Sequence, residues 1–219
     1  MWRLGRCGKC FIRLILCEGS FADTAVLVNE FGAVGIDQQL MESAKQDVLL
    51  LKNGCLCCGL QGDFLNQVRD LLDRRSQGYI TSFNQLVIET TGFADPIPII
   101  CGFFTDPGLA SCFAPPAVVT VVDRIHFLNN QLLQQVIVYR QIACADLLII
   151  SKADQLAVSV KTNVVERLSS FNRAPFQFPL MRNASPQINF LKSWYLETIN
   201  GKHCLQALTY MIVPNLLAL

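Results

Sequence analysis

The sequence predicts an α/β fold, a layered sandwich of helices on a mostly parallel central sheet. Three observations carry that prediction. Four short runs, Ala25–Val28, Gln85–Ile88, Ala117–Val122 and Leu147–Ile150, are continuously rich in Val, Ile and Leu. They lack the alternation of a sheet with one wet face, and so read as strands buried on both faces. Longer amphipathic stretches separate them, and strand–helix alternation with short connections produces layers around a parallel sheet. Each run also ends in a polar cluster, at the carboxyl end where ligands bind in such sheets.

In chain order, a helix is expected over Cys10–Cys17, then the first strand, closed by Asn29 and Glu30. The next helix spans Gly62–Arg75, where Phe64, Leu65, Val68, Leu71 and Leu72 recur at helical spacing with Arg69, Asp70 and Asp73 between them. The second run leads into Glu89-Thr90-Thr91-Gly92, and Thr91 or Asp95 would cap a helix ahead of Pro96. The third run ends at Asp123 and precedes a helix over Ile125–Cys144. The fourth runs into Ser151-Lys152-Ala153-Asp154, followed by a helix over Ser159–Ser170. Beyond Asn172, Pro175, Pro179 and Pro186 interrupt the pattern. Residues 1–175 are therefore expected to form the domain, and residues 176–219 a tail with no recognisable domain of its own.

Composition narrows the classes. Of 219 residues, 52% are hydrophobic and 16% charged, which excludes a disordered chain. Eighteen Lys and Arg against seventeen Asp and Glu leave a net charge of +1, so no broad basic field serves nucleic acid. The basic start, Met1 to Arg6, leads into an apolar run that Arg13 interrupts, and Ala22–Ala25 is a poor cleavage site for a signal peptide. The apolar stretch Leu208–Leu219 contains Pro214 and Asn215 and falls short of the roughly 20 residues a membrane span requires. The expected setting is the cytoplasm, with neither membrane nor nucleic acid as a partner.

Ten cysteines stand in the chain, and Cys55, Cys57 and Cys58 crowd into four residues between Gly54 and Gly59. Flanking glycines allow the tight turning that brings three sulfurs together. Thiolates suit Zn(II), Cu(I) and other thiophilic ions, and three of them leave a fourth coordination position open to a carboxylate, water or exchange partner. Buried free thiols or a redox pair are the plainer alternatives. The other seven cysteines are single, and each is expected as a small core residue.

Ser151-Lys152-Ala153-Asp154 has the form of a guanine-reading loop: a carboxylate at Asp154 can accept from guanine N1–H and its amine, while the Lys152 stem lies against the base. Alone, such a string also fits an ordinary surface loop. Glu89 to Gly92 ends a hydrophobic strand, where nucleotide hydrolases place an acid near Mg²⁺ and the attacking water. Gly8-Lys9 fits the G-K step of a phosphate-binding loop, but Arg3 stands at the leading glycine position. Cys10, a soft ligand, stands where a hydroxyl should meet Mg²⁺.

Taken in order, Val28-Asn29-Glu30-Phe31-Gly32-Ala33-Val34-Gly35-Ile36-Asp37, then Asn53 to Cys58, then Val87 to Pro96, then Val119 to Asp123, then Ser151 to Asp154, the strings resemble the N-terminal GTPase domain of CobW-type proteins. These belong to the CobW/HypB/UreG family of P-loop metallochaperones. The resemblance runs from about Gly8 to about Pro175. It implies a P-loop NTPase-like three-layer sandwich that hydrolyses GTP with Mg²⁺ and couples nucleotide state to delivery of zinc or cobalt. By position, Cys55, Cys57 and Cys58, with Glu30, resemble the metal and switch residues. Glu89 with Thr91 and Gly92 resembles the Walker B and switch II segment, and Ser151, Lys152 and Asp154 the base-reading motif. Gly8, Lys9 and Cys10 fall on the phosphate loop, where Lys9, like Glu89, would be catalytic.

Three departures accompany the resemblance. The phosphate loop lacks its leading glycines and its Ser or Thr, only Met1 and Trp2 precede Arg3 so that the first strand is expected to be absent, and the tail offers no recognisable C-terminal domain. Three functions are therefore expected in turn. The first is a GTP-dependent metallochaperone domain with a metal-receiving protein and a homodimer as partners. The second is a non-catalytic metal- or partner-binding protein that keeps the C-x-C-C string, and the third is a thiol redox protein.

Overall fold

The structure, a computed structural model, describes residues 24–29, 49–53, 61–90, 94–123, 136–151, 158–172, 177–180 and 206–212. Within them one sheet holds β1 (Thr24–Asn29), β2 (Leu49–Asn53), β3 (Gln85–Glu89), β4 (Ala117–Asp123), β5 (Leu147–Ser151), β6 (Gln177–Leu180) and β7 (Gln206–Ile212). The strand order is β2-β1-β3-β7-β4-β5-β6, and every pairing is parallel. The helices are α1 (Gln61–Ser76), α2 (Pro96–Thr105), α3 (Pro107–Cys112), α4 (Val136–Ala143) and α5 (Val158–Phe171). The expected α/β class and parallel sheet are thus present.

Right-handed crossovers decide where the helices lie. The connections β2–α1–β3, β3–α2–α3–β4, β4–α4–β5 and β5–α5–β6 all step across the sheet in one direction, so these helices share one face. Two apolar clusters fill the space beneath them. Ala25, Leu27, Leu86 and Ile88 pack with Phe64, Val68 and Leu71 of α1, Ile99 and Phe103 of α2, and Leu109 of α3. Val122, Leu148 and Ile150 pack with Val138 and Ile142 of α4 and Val164 and Leu168 of α5. The alternate strand residues Val26, Val87, Val121 and Ile149 point to the opposite face and are buried too. Burial on both faces is the physical reason the four runs are continuous rather than alternating.

Local chemistry sets the helix ends. Asp95 caps α2, accepting from the Ile97 N–H at 3.1 Å, with Pro96 in the first turn where its missing N–H costs nothing. Of the two caps expected, Asp95 is the one observed. Asp106 closes α2 and opens α3, accepting from the Leu109 N–H at 2.9 Å, and pairs with Arg69 of α1. At the end of α1, Tyr79 N–H donates to Arg74 C=O and Gly78 N–H to Arg75 C=O, with Gly78 at φ +74°. That is a Schellman turn, and the left-handed backbone calls for glycine.

The structure amends the sequence reading at several points. Helix α4 covers Val136–Ala143, and residues 125–135 of the longer expected helix lie outside the described residues, as does Cys10–Cys17. Strands β2, β6 and β7 and helix α3 were not expected from the sequence, and of α2 only its cap ahead of Pro96 was. Two of those strands come from beyond residue 175. The expectation that the single cysteines are core residues fails for those described: Cys101 is exposed, and Cys112 and Cys144 are half-buried. Cys101 lies on the 97–101–104 stripe of α2, opposite the buried Ile99, Gly102 and Phe103.

Candidate functional site

Polar residues end strands β1 to β5 along the carboxyl rim of the sheet. Asn29 and Asn53 end β1 and β2 side by side, and Asp123 and Ser151 end β4 and β5 side by side. Between them, β3 delivers Glu89 and Thr90, with 7% and 1% of their surface exposed. A carboxyl so far withdrawn from water needs polar or charged company, which makes the end of β3 the chemically distinctive point of the rim.

The ladder fixes how far apart these groups stand. Glu89 is level with Val28 on one side and Tyr210 on the other, and Tyr210 is level with Val119. Asp123 and Ser151 lie four residues further along β4 and β5. At the usual rise and strand spacing, Ser151 is about 13 Å along the strands and about 14 Å across them from Glu89. A nucleotide laid over the rim, rather than any direct hydrogen bond, would connect the two.

Behind the rim, α4 grips the chain where it leaves the β3 loop. Gln141, fully buried, donates its side-chain amide to the Ala94 carbonyl at 2.9 Å. Its main-chain carbonyl accepts from the Thr120 hydroxyl at 2.8 Å, joining α4 to β4. Arg140 forms an ion pair with Asp95. Sequence reading missed Arg140 and Gln141. The available signal was a glutamine on the helical phase of Val138, Ile142 and Ala145, an apolar face on which a polar side chain requires a partner.

Two groups with shifted acidities, Asp146 and Cys144, lie off this rim. Asp146 accepts from the Val118 N–H at 2.8 Å at the amino end of the sheet, and desolvation raises its pKa against that hydrogen bond. Desolvation, with the charges of Asp95 and Asp146 nearby, also raises the Cys144 thiol, so that it is not a ready thiolate. Gly8, Lys9, Cys10, Glu30, Cys55, Cys57, Cys58, Thr91, Gly92, Lys152 and Asp154 lie outside the described residues. Among the described residues, no group of three or more His, Cys, Asp or Glu side chains is placed to hold a metal ion, and no helix is long and apolar enough to cross a membrane.

A wholly parallel sheet, with helices packed on it and polar residues ending β1 to β5 along the carboxyl rim, has the layout of an α/β domain of the P-loop NTPase-like type. Comparison then gives the family: the chain belongs to the CobW/HypB/UreG family, whose nucleotide-binding domain model matches residues 7–177. The chain is 37% identical over 173 residues to the zinc chaperone YjiA of Escherichia coli, covering 78% of this chain and 53% of that protein. To the zinc chaperone CobW of Pseudomonas aeruginosa it is 32% identical over 183 residues, 70% of this chain and 47% of that one.

The crystal structure of Zn(II)-bound YjiA GTPase from E. coli superposes with a TM-score of 0.58 at 31% identity, covering 79% of this chain and 54% of that one. A Zn(II)-bound triple mutant of the same GTPase, with one glutamate and two adjacent cysteines changed to alanine, gives 0.59 at 29% identity, covering 80% and 54%. The chain spans about half the length of the two curated relatives, YjiA and CobW.

Proposed function

We propose that this chain is a GTP-binding domain that couples nucleotide state to the binding and delivery of zinc. The observation that carries the reading is Glu89, a carboxyl held almost out of water at the carboxyl end of β3, on the same rim as Ser151. Family membership and relatives named as zinc chaperones support it. So does a fission yeast relative, 30% identical over 175 residues and covering 77% of this chain and 41% of that one, named zinc-regulated GTPase metalloprotein activator 1.

In this reading Ser151, Lys152 and Asp154 hold the guanine, and Gly8 and Lys9 hold the phosphates. Thr91 and Gly92 lie against the γ-phosphate, with Glu89 beside it and the attacking water. Glu89 is a hard oxygen donor and fits Mg²⁺, which would neutralise charge on the phosphate oxygens; the sulfur of Cys10 does not fit it. Zinc is cargo, held by Cys55, Cys57 and Cys58 with Glu30 as the fourth donor, a set that suits a thiophilic ion. Loops ordered by the γ-phosphate would alter the thiolate geometry and so release metal to a receiving protein, with a second copy of the chain as a further partner.

Cys10 favours a second reading, in which the domain binds zinc without turning over GTP. One experiment separates them. Steady-state GTP hydrolysis with Mg²⁺ is measured alongside stoichiometric zinc binding to the reduced protein, in wild type, Glu89→Gln and Cys57→Ser/Cys58→Ser. The first reading expects hydrolysis that falls at least a hundredfold in Glu89→Gln and zinc binding lost in the double cysteine variant. Zinc binding without hydrolysis supports the second, and neither activity refutes both.

A further inference from the structure

Helix α4 contributes no residue to the nucleotide-reading strings, yet it holds the end of one of them, at Ala94 and Asp95, by two side-chain contacts. Gln141 is fully buried and its Nε2–H reaches the Ala94 carbonyl at 2.9 Å. Arg140, on the solvent side of the same helical turn, pairs through Nη1 with Oδ2 of Asp95. The other oxygen of that carboxylate, Oδ1, accepts from the Ile97 N–H at 3.1 Å and so caps α2. The Gln141 main-chain carbonyl receives the Thr120 hydroxyl at 2.8 Å, which ties the grip back to β4 three residues before Asp123. A buried amide on a main-chain carbonyl fixes position more firmly than a surface contact, because breaking it leaves polar groups unpaired away from water.

We propose that Gln141 and Arg140 are positioning residues that anchor the chain at Ala94 and Asp95. They fix the downstream end of the segment that begins with Glu89 and so set how well that segment is placed for GTP hydrolysis. The upstream end is fixed by the β3 ladder at Glu89, so the two anchors leave only a short span between them. The hydrolytic consequence rests on the proposed GTP reading, whereas the anchoring does not. In this arrangement α4 connects Ala94 and Asp95, through Thr120, to the strand that carries Asp123.

The test uses the full chain in four forms: wild type, Gln141→Leu, Arg140→Gln and Arg140→Lys. The last keeps a cation for a pair made through a single nitrogen, and both Arg140 variants change a side chain that is about half exposed rather than a core residue. Amide exchange is followed in peptides covering residues 94–97 and, as a reference, 158–171. Gln141→Leu and Arg140→Gln are expected to speed exchange at 94–97 at least tenfold and to leave 158–171 unchanged, while Arg140→Lys stays within twofold of wild type. GTP hydrolysis is expected to lose at least fivefold in kcat in the first two, with KM within twofold.

Unchanged exchange at 94–97 in Arg140→Gln, or a uniform rise across the chain, overturns the anchoring. Freed amides with kcat unaltered overturn the positioning role. A wild-type chain that neither binds nor hydrolyses GTP refutes the functional reading instead, and the exchange result then decides the anchor by itself.

Discussion

Tyr210 stands beside Glu89, paired in parallel register on the neighbouring strand. The strand that flanks the acid-bearing β3 therefore comes from late in the chain, and its other edge pairs with β4. Strands β1 and β3 pack with α1, α2 and α3, and β4 and β5 with α4 and α5, in two separate apolar clusters. β7 joins the two half-sheets, and the α4 contacts to Ala94 and Asp95 join them again above it.

A proline in β7 should therefore act on the whole domain. Leu208→Pro removes a main-chain donor from a strand bonded on both sides, where proline is not accommodated. An unpaired buried partner alone costs about 1–3 kcal/mol, and ring clashes add to it. Thermal unfolding should show a Tm lower by about 5 °C or more, with a broadened transition as the two clusters uncouple. A sharp transition at the wild-type Tm would contradict a central place for β7.

Gly78 offers a smaller, cleaner test. Its φ of +74° suits glycine, and no atom lies within 4 Å of the position a Cβ would take, so a side chain there meets backbone strain without a clash. Gly78→Ala should cost about 1 kcal/mol and Gly78→Asn less, because asparagine tolerates the left-handed region. Chemical denaturation should show this as a shifted midpoint with an unchanged slope.

Two carboxylates should oppose one another in pH dependence. Asp106 accepts from the Leu109 N–H and pairs with Arg69, which lowers its pKa below the ordinary 3.8. Its stabilisation is present above the unfolded pKa and is lost as pH falls through the folded one, on the acid side of 3.8. Desolvation raises Asp146 above 3.8, so its contribution is present below the unfolded value and is lost as pH rises through the folded one. Asp146→Asn keeps an acceptor for the Val118 N–H and should raise Tm at pH 7. Asp106→Asn should lower Tm at pH 7 and flatten the acid limb. Tm measured from pH 3 to pH 8 checks both signs.

The sequence disclosed those parts of the fold that are locally encoded. Ala25–Val28, Gln85–Ile88, Ala117–Val122 and Leu147–Ile150 are apolar because both faces are covered, and each proved to be a strand. α2 escaped notice because its stretch of Pro, Ile, Cys, Gly and Phe has no polar face to mark a period, although its cap, Asp95, was readable. β6 was hidden by Pro179, which its place at the edge of the sheet tolerates. β7 pairs with residues more than eighty positions away, and no local pattern carries that information. At the site, Glu89 was visible as an acid closing an apolar strand. Gln141 was not, because its role depends on a carbonyl 47 residues earlier.

The central claim is that the carboxyl rim of this sheet receives a guanine nucleotide, and calorimetric titration of the purified, reduced chain with GTP and with ATP in the presence of Mg²⁺ tests it most directly. A single site that binds GTP at least tenfold more tightly than ATP is the predicted result, with Asp154→Asn abolishing the preference. No heat of binding at millimolar GTP, or equal affinity for the two nucleotides, would contradict it.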